Sequence, residues 1–353
     1  MKALFTFDCQ DLFLRSWQMI NFFKSLGYEP FTHNVPENYV NFINGTFQSQ
    51  IKLIEDGFNE NDYDVWVYDL TSWVDFKEKT KYLEKLRSFK GKLVCINYED
   101  GTSFLDHRID DYVIDKTRRF VRVSLTRDKT LYNEKIVNKL FLTTSYVDNS
   151  QWFVNSLVPF DKKIKRAFFS GSITGNPTWL TNFNKNEHNL RLEILKTIYD
   201  SKLIDTFFRI HNYDPSLKVY FDNDNLFKQN LMGREEYVKE FSNSLFILAI
   251  KGNGYNTNRF FESQSSGCVT LSNNMDEIEI YGIGEEGEDW IEFDINNNGI
   301  LFTLDKCLND MNFCKKICEN GRKCWEKYNM IDTYNCFSKF TYEHHKKEFY
   351  EKL

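Results

Sequence analysis

The chain is poor in the features that would take it out of the ordinary folded class. Only five prolines occur in 353 residues, and no low-complexity tract interrupts them, so long flexible linkers are not expected. No apolar run approaches the ~20 residues that a membrane-spanning helix requires. The start, MKALFTFDCQDLF, meets an acid at Asp8, too soon for the apolar core of a signal peptide. A soluble, cytoplasmic protein is therefore the expectation. The net charge is −6 with no basic block, which leaves a nucleic-acid partner without electrostatic footing. The pairs Arg118–Arg119 and Lys162–Lys163 read as solvated surface. Eight cysteines are present but no C-x-x-C pair, and structural zinc sites usually use such tight spacings. Cys9, Cys95 and Cys268 lie in or beside apolar runs and read as small core residues. Cys307, Cys314, Cys318, Cys324 and Cys336 read as reduced thiols. Neither a metal nor a cofactor is expected.

What is present points to two α/β lobes. Hydrophobic residues make up 41% and charged residues 27%, the balance of a folded globular protein, and the length suits two lobes of ordinary size. Apolar runs at 3–7, 65–70 and 93–97 predict parallel strands buried on both faces. Helical spacing over 16–26 stops at Gly27, and a second such stretch over 77–89 stops at Gly91. Further strand is expected through Val121, Val123, Leu125 and Phe141. Strands separated by helices of this length predict a Rossmann-like sheet with right-handed crossovers. The pattern breaks near Pro159, and a new unit opens at Arg166. The expected domains are therefore 1–160, 161–333 and a terminal helix over 334–353.

The most informative stretch is 244–274, SLFILAIKGNGYNTNRFFESQSSGCVTLSNN. It predicts a buried strand (245–250), a glycine-containing turn (251–257), a helix opening at Asn258–Arg259 and ending at Gly267, and a second buried strand (268–271). Such a unit brings backbone N–H groups and a helix N-terminus to one edge of a parallel sheet, where a phosphate is well received. Lys251 and Arg259 flank the turn. Gly252 and Gly254 let backbone approach a ligand, and Asn256 and Thr257 serve as helix caps or donor contacts. Glu262 follows Arg259 by one turn of the same helical face. Arginine suits a pyrophosphate through its planar fork, and a carboxylate suits ribose hydroxyls.

A serine-led apolar strand, a K-G-x-G turn, then R-F-F-E and S-G-C-V-T-L resembles the donor-binding half of GT-B glycosyltransferases, the exostosin-like branch in particular. The likeness covers 244–271 well and 167–271 loosely, and the N-terminal half carries no such motif. It implies two Rossmann-like lobes facing a cleft, with a C-terminal helix packing back on the first lobe. It also implies a nucleotide-sugar donor whose phosphates meet Arg259 and whose ribose meets Glu262, and a glycan or glycoprotein acceptor.

A second site supports this reading. Phe168-Phe169-Ser170-Gly171-Ser172 is a strand feeding a turn that can bring amides to an anion, Gly171 and Ser172 foremost. Arg191, near the start of the next helix, could reach the same phosphates. A general base would sit where first-lobe strands end, with Asp100 favoured and Asp8 next, ahead of Asp69, Glu99 and His107. The histidines His211, His344 and His345 read as surface or loop residues. Two rival readings stand beside this one. The D-x-D of Asp222 and Asp224 could grip a divalent cation in a GT-A-like, metal-dependent transferase. The fold could also bind nucleotide or glycan without chemistry.

Overall fold

A computed structural model describes residues 1–6, 10–35, 37, 40–41, 44–45, 50–70, 80–97, 111–144, 148–172, 187–211, 221, 226–228, 231–252, 257–296, 298–331 and 337–353. The chain divides into two compact units. The first comprises Met1–Tyr146, Ile278–Tyr281 and Lys327–Leu353; the second comprises Val147–Glu277 and Gly282–Glu326. The division falls at Tyr146/Val147 where the sequence pattern suggested 160, because the short 3-10 turn Asp148–Phe153 packs with the second unit.

The first unit is built on seven strands: β1 (Lys2–Thr6), β2 (Glu29–His33), β3 (Lys52–Leu53), β4 (Val65–Asp69), β5 (Lys92–Asn97), β6 (Thr117–Arg122) and, after β7 (Ser124–Thr126), β8 (Leu140–Leu142). Their order is β3-β2-β1-β4-β5-β6-β8, and every pairing is parallel. Alternate side chains of these strands go to opposite faces. Ala3, Phe5, Val65, Val67, Val94 and Ile96 pack with Trp17, Ile20 and Phe23 of the helix Gln10–Ser25. Leu4, Trp66, Tyr68, Leu93 and Cys95 pack with Tyr82, Leu86 and Phe89 on the other face. Both faces are dry, which is why these strands read as continuous apolar runs. Strands β2 and β3 escape the sequence pattern. Pro30 interrupts the apolar signal of β2, yet β3 pairs with β2 only at Phe31 and Thr32, and a residue without an N–H is tolerated there.

The carboxy-terminal segment belongs to this unit. Phe337, Tyr342 and Phe349 join the core of the first face, with ring centroids of Phe22 lying 5.6, 5.9 and 5.8 Å from theirs. The helix Lys339–His345 therefore packs on the sheet of the amino-terminal strands, and much of the aromatic content is spent on this contact.

The second unit carries five parallel strands. These are β9 (Ile164–Ser172), β10 (Asp205–His211), β11 (Ser244–Leu248), β12 (Val269–Asn273) and Ile291–Phe293, in the order β10-β9-β11-β12-(Ile291–Phe293). Helices Glu187–Ser201, Arg234–Asn243 and Asn258–Ser265 make the crossovers. One stretch expected as a single helix from Leu304 to about Tyr328 is two helices, Gly299–Asn309 and Met311–Tyr328, broken at Asp310. Their cysteines Cys307, Cys314 and Cys318 lie in the core, as small apolar groups do. Among the described residues, no helix is long and apolar enough to cross a membrane.

Two readings of surface charge are corrected. Lys163 is buried, and its ammonium donates to the carbonyls of Ser242 (2.7 Å) and Ser266 (3.1 Å) and to Cys268 Sγ (3.2 Å). Both carbonyls close helix ends that have no intrahelical donor, so a cation there is doubly favoured. Arg119 is buried too, on β6, and burial lowers its pKa.

His345 is another correction. It is fully buried beneath Phe337 and Phe141, at ring distances of 4.8 and 4.9 Å, and Nε2 lies 3.2 Å from Thr143 Oγ1. Burial, with His344 as a lesser cause, pushes its pKa down to about 3. The unfolded chain takes up this proton near the ordinary value of about 6.5, whereas the folded chain takes it up only near 3. Stability contributed by neutral His345 is thus whole above pH 6.5 and declines as pH falls toward 3, by ~1.4 kcal/mol per pH unit. Urea unfolding of wild type and His345→Gln between pH 4 and 7 should show a steeper acid loss in wild type. Equal slopes would refute the assignment.

Candidate functional site

The site sits at the carboxyl ends of β9, β10, β11 and β12 in the second unit. There β11 is followed by Ile250-Lys251-Gly252, and the described chain continues from Thr257 into the helix Asn258–Ser265. That helix stops at Gly267, whose φ of +60° is the left-handed conformation glycine adopts without penalty. The Cys268 N–H reaches back to the Ser263 carbonyl at 3.0 Å, a helix-closing bond that delivers Val269 into β12. Every residue from Phe260 to Ser265 is buried. Several polar groups here are paired: Thr270 Oγ1 donates to Ser263 Oγ (2.8 Å), and Gln264 Nε2 donates to the Ile283 carbonyl (2.8 Å), while Gln264 Oε1 has no partner among the described residues. The helix start is thereby held in one place.

Two guanidinium groups converge on this edge, both over the ring of Phe169, at 4.7 Å for Arg259 and 5.9 Å for Arg191. Arg191 donates through Nε to the Lys251 carbonyl (3.0 Å), through Nη1 to that of Ser172 (2.7 Å), and through Nη2 to that of Ile250 (3.0 Å). It thus ties the end of β9 to the segment after β11. Sequence reasoning assigned Arg191 to phosphates; the structure engages each of its nitrogens with backbone. Gly252 makes this possible, because a Cβ there would collide with the guanidinium. Gly171 plays the matching part for Arg259: a Cβ would lie 2.6 Å from Nη1, which donates to the Ser170 carbonyl at 2.8 Å. At both positions glycine leaves room for the guanidinium, and a Cβ would require the arginine to shift.

Arg259 is half-buried with no ion pair among the described residues, and its buried Nε has no hydrogen-bond partner there. Burial lowers its pKa, while Tyr237 and Glu262 act in the opposite sense. One residue away from its helix, Thr257 occupies the N-cap position, yet its hydroxyl makes no capping bond and is buried without a partner. His211 closes β10 beside Ser172 of β9, and its Nδ1 is likewise buried and unpartnered. Burial first, then Arg259, Arg209 and Arg191, hold the His211 pKa below its ordinary value, so the ring is neutral at pH 7. Glu262 is buried and accepts the Tyr237 hydroxyl at 2.6 Å. Burial and this carboxylate raise the tyrosine pKa well above its ordinary value. The Lys251 N–H donates to Asn273 Oδ1 at 2.7 Å, tying the turn to the end of β12.

Gly171, Ser172, Arg191, Lys251, Gly252, Thr257, Arg259 and Glu262 therefore share one sheet edge or the helix that rises from it. Gly254, Asn256, Asp8, Asp100, Asp222 and Asp224 lie outside the described residues, as do Glu99 and His107. Asp69 is fully buried at the end of β4. His211, read as a loop histidine, is the residue the sequence reading missed. Its signal was its place directly after Ile210, at the end of β10, where a parallel strand ends at a site. Tyr237 was also missed, since only tertiary contact brings its hydroxyl to Glu262.

No protein-family model matches the sequence, and no curated protein matches it. Solved structures do. Anabaena HepE, in complex with UDP and glucose, is 8% identical with a TM-score of 0.63 and is covered in full by the full chain. Sucrose-phosphate synthase from Thermosynechococcus elongatus is 10% identical, TM-score 0.58, over 100% of this chain and 99% of that one. The UDP-GlcNAc 2-epimerase of Neisseria meningitidis, bound to UDP-GlcNAc, is 11% identical, TM-score 0.52, over 100% and 99%. At such identities the likeness is one of fold. The chain has the GT-B fold: mixed α/β, two units, each on a parallel sheet.

Proposed function

We propose that the protein is a glycosyltransferase, exostosin-like in its donor motif, that moves a sugar from a nucleotide-diphosphate donor to a hydroxyl of a glycan or glycoprotein. The observation that carries this reading is a half-buried arginine at a helix start, its Nε buried and, among the described residues, without a carboxylate partner. Beside it on the same edge lie two further buried polar atoms, Thr257 Oγ1 and His211 Nδ1, with no partner among the described residues. Buried charge and buried hydroxyl both cost free energy when left unpaired. A diphosphate would satisfy all three, and helix-start amides would add to its hold. The neighbours in fold that hold UDP or UDP-sugars lend support at the level of architecture.

As the glycosidic bond transfers, the departing diphosphate gains negative charge. Arg259, a fixed cation in a dry site, would stabilise that charge more in the transition state than in the ground state. Arg191 would act through backbone, holding the Ser170–Ser172 and Ile250–Gly252 segments in place. Glu262, oriented by Tyr237, is proposed as the ribose acceptor group, with Lys251 completing the cationic turn. Fixed cations can do the work of a metal ion here, so a metal-independent reaction is proposed. Asp100, with Asp8 next, is proposed as general base. Because fold neighbours include 2-epimerases, the assay must separate transfer from isomerisation.

The first test is ligand-dependent melting. UDP at a hundred times its Kd should stabilise the protein by ~2.7 kcal/mol. Arg259→Lys, which keeps charge but loses the fork, should weaken UDP binding about tenfold or more, with the fold retained. If its affinity matched wild type, the phosphate role would be wrong. Arg191→Ala should instead lower stability by about 2–4 kcal/mol, since three carbonyls lose their donor. Transfer from a UDP-sugar should survive excess chelator. Loss of transfer in chelator, restored by manganese and abolished by Asp222→Ala, would favour the metal-dependent alternative.

A further inference from the structure

A groove of about 520 Å³ runs along the helix Arg234–Asn243 in the second unit, walled on its far side by the segment 152–158. It lies apart from the residues gathered at the strand ends: its floor includes Ser242, in the last turn of the helix that precedes β11. Trp152, Leu157 and Val238 make an apolar wall. Arg234 lies over the indole of Trp152 at 4.5 Å. A guanidinium laid on an aromatic ring keeps its N–H donors pointing outward in a fixed plane. Among the described residues this arginine has no hydrogen bond or ion pair, and neither has Lys239 on the same groove. Glu235 is the single acid of the lining, so cations exceed it by one, two against one.

Ser242 is the decisive residue. It is 2% exposed, lines the groove, and its hydroxyl has no hydrogen-bond partner among the described residues. Its own carbonyl is taken by Lys163, so the helix end is already satisfied and the hydroxyl is left over. A buried hydroxyl without a partner is disfavoured unless something else bonds to it. An apolar wall, a planar cationic fork and an unsatisfied hydroxyl describe a ligand with a hydrophobic ring face, hydroxyl groups and one carboxylate. We propose that this groove binds a carboxylate-bearing pyranose unit, a saccharide site separate from the donor site. The carboxylate meets Arg234 with Lys239 behind it, the ring lies along Leu157 and Val238, and a ring hydroxyl bonds Ser242. This inference goes beyond the transferase reading and does not need it.

The test uses the full chain without nucleotide and follows methyl β-D-glucuronide by saturation-transfer NMR, with methyl β-D-glucoside as the neutral control. The glucuronide should bind about tenfold more tightly than the glucoside. Arg234→Ala and Ser242→Ala should each weaken it about tenfold. Ser242→Ala should melt no lower than wild type, because the hydroxyl it removes bonds nothing among the described residues. The proposal fails if the glucuronide does not bind, if the glucoside binds equally well, or if Arg234→Ala binds as wild type does. Arg234 is exposed, so that variant remains informative should Ser242→Ala fold poorly. UDP binding by the same samples reads the donor site on its own, which keeps failure of one assignment distinct from failure of the other.

Discussion

The second unit depends on arginine meeting backbone beside glycines whose missing side chains leave it room. Arg191 joins the carbonyls of Ser172, Ile250 and Lys251, and Arg259 takes that of Ser170, with Phe169 beneath both. Carbonyls at the carboxyl ends of parallel strands have no further strand partner, so a multidentate donor placed there sets the spacing of β9 and β11. Gly171 and Gly252 are the clearances through which the two side chains arrive. The same contact settles electrostatics. Positive charge is held at the edge by neutral carbonyls, with Glu262 acting on Arg259 from nearby.

Around that edge, polar groups divide by whether the chain satisfies them. Lys163 spans two helix ends, Thr270 donates to Ser263, Gln264 reaches Ile283, and Tyr237 donates to Glu262. These buried bonds make the helix Asn258–Ser265 a fixed part of the sheet and not a solvated crossover. Thr257 Oγ1, Arg259 Nε and His211 Nδ1 stand at the same edge without partners among the described residues. Gln264 Oε1 and Arg209 Nε are also left without partners among the described residues, so unsatisfied polar atoms are not confined to that edge.

Local patterning carried much of the fold. Strands β1, β4 and β5 announce themselves because both faces of a parallel sheet are apolar, and Gly267 marks a helix end because its backbone angle favours glycine. Most misses come from contact between residues distant in sequence. Lys163 looked solvated, yet its ammonium meets carbonyls 79 and 103 residues away. The run 304–328 has an unbroken helical pattern, and Asp310 interrupts it without proline or glycine to signal the break. Ile278–Ile280 looked like loop, and it pairs antiparallel with β7 of the first unit.

The order of residues by itself determined the class of the protein: parallel α/β units, a strand–turn–helix–strand at 244–271, and cations suited to phosphate beside it. Those features follow from periodicity and from the angles that single residues accept, which are local properties. Tertiary structure decided the division of labour among the cations, Arg191 to backbone and Arg259 to an open edge, and it brought His211 and Tyr237 into their company. Partner choice for a charged side chain depends on what lies across the sheet, and distance along the chain does not encode that.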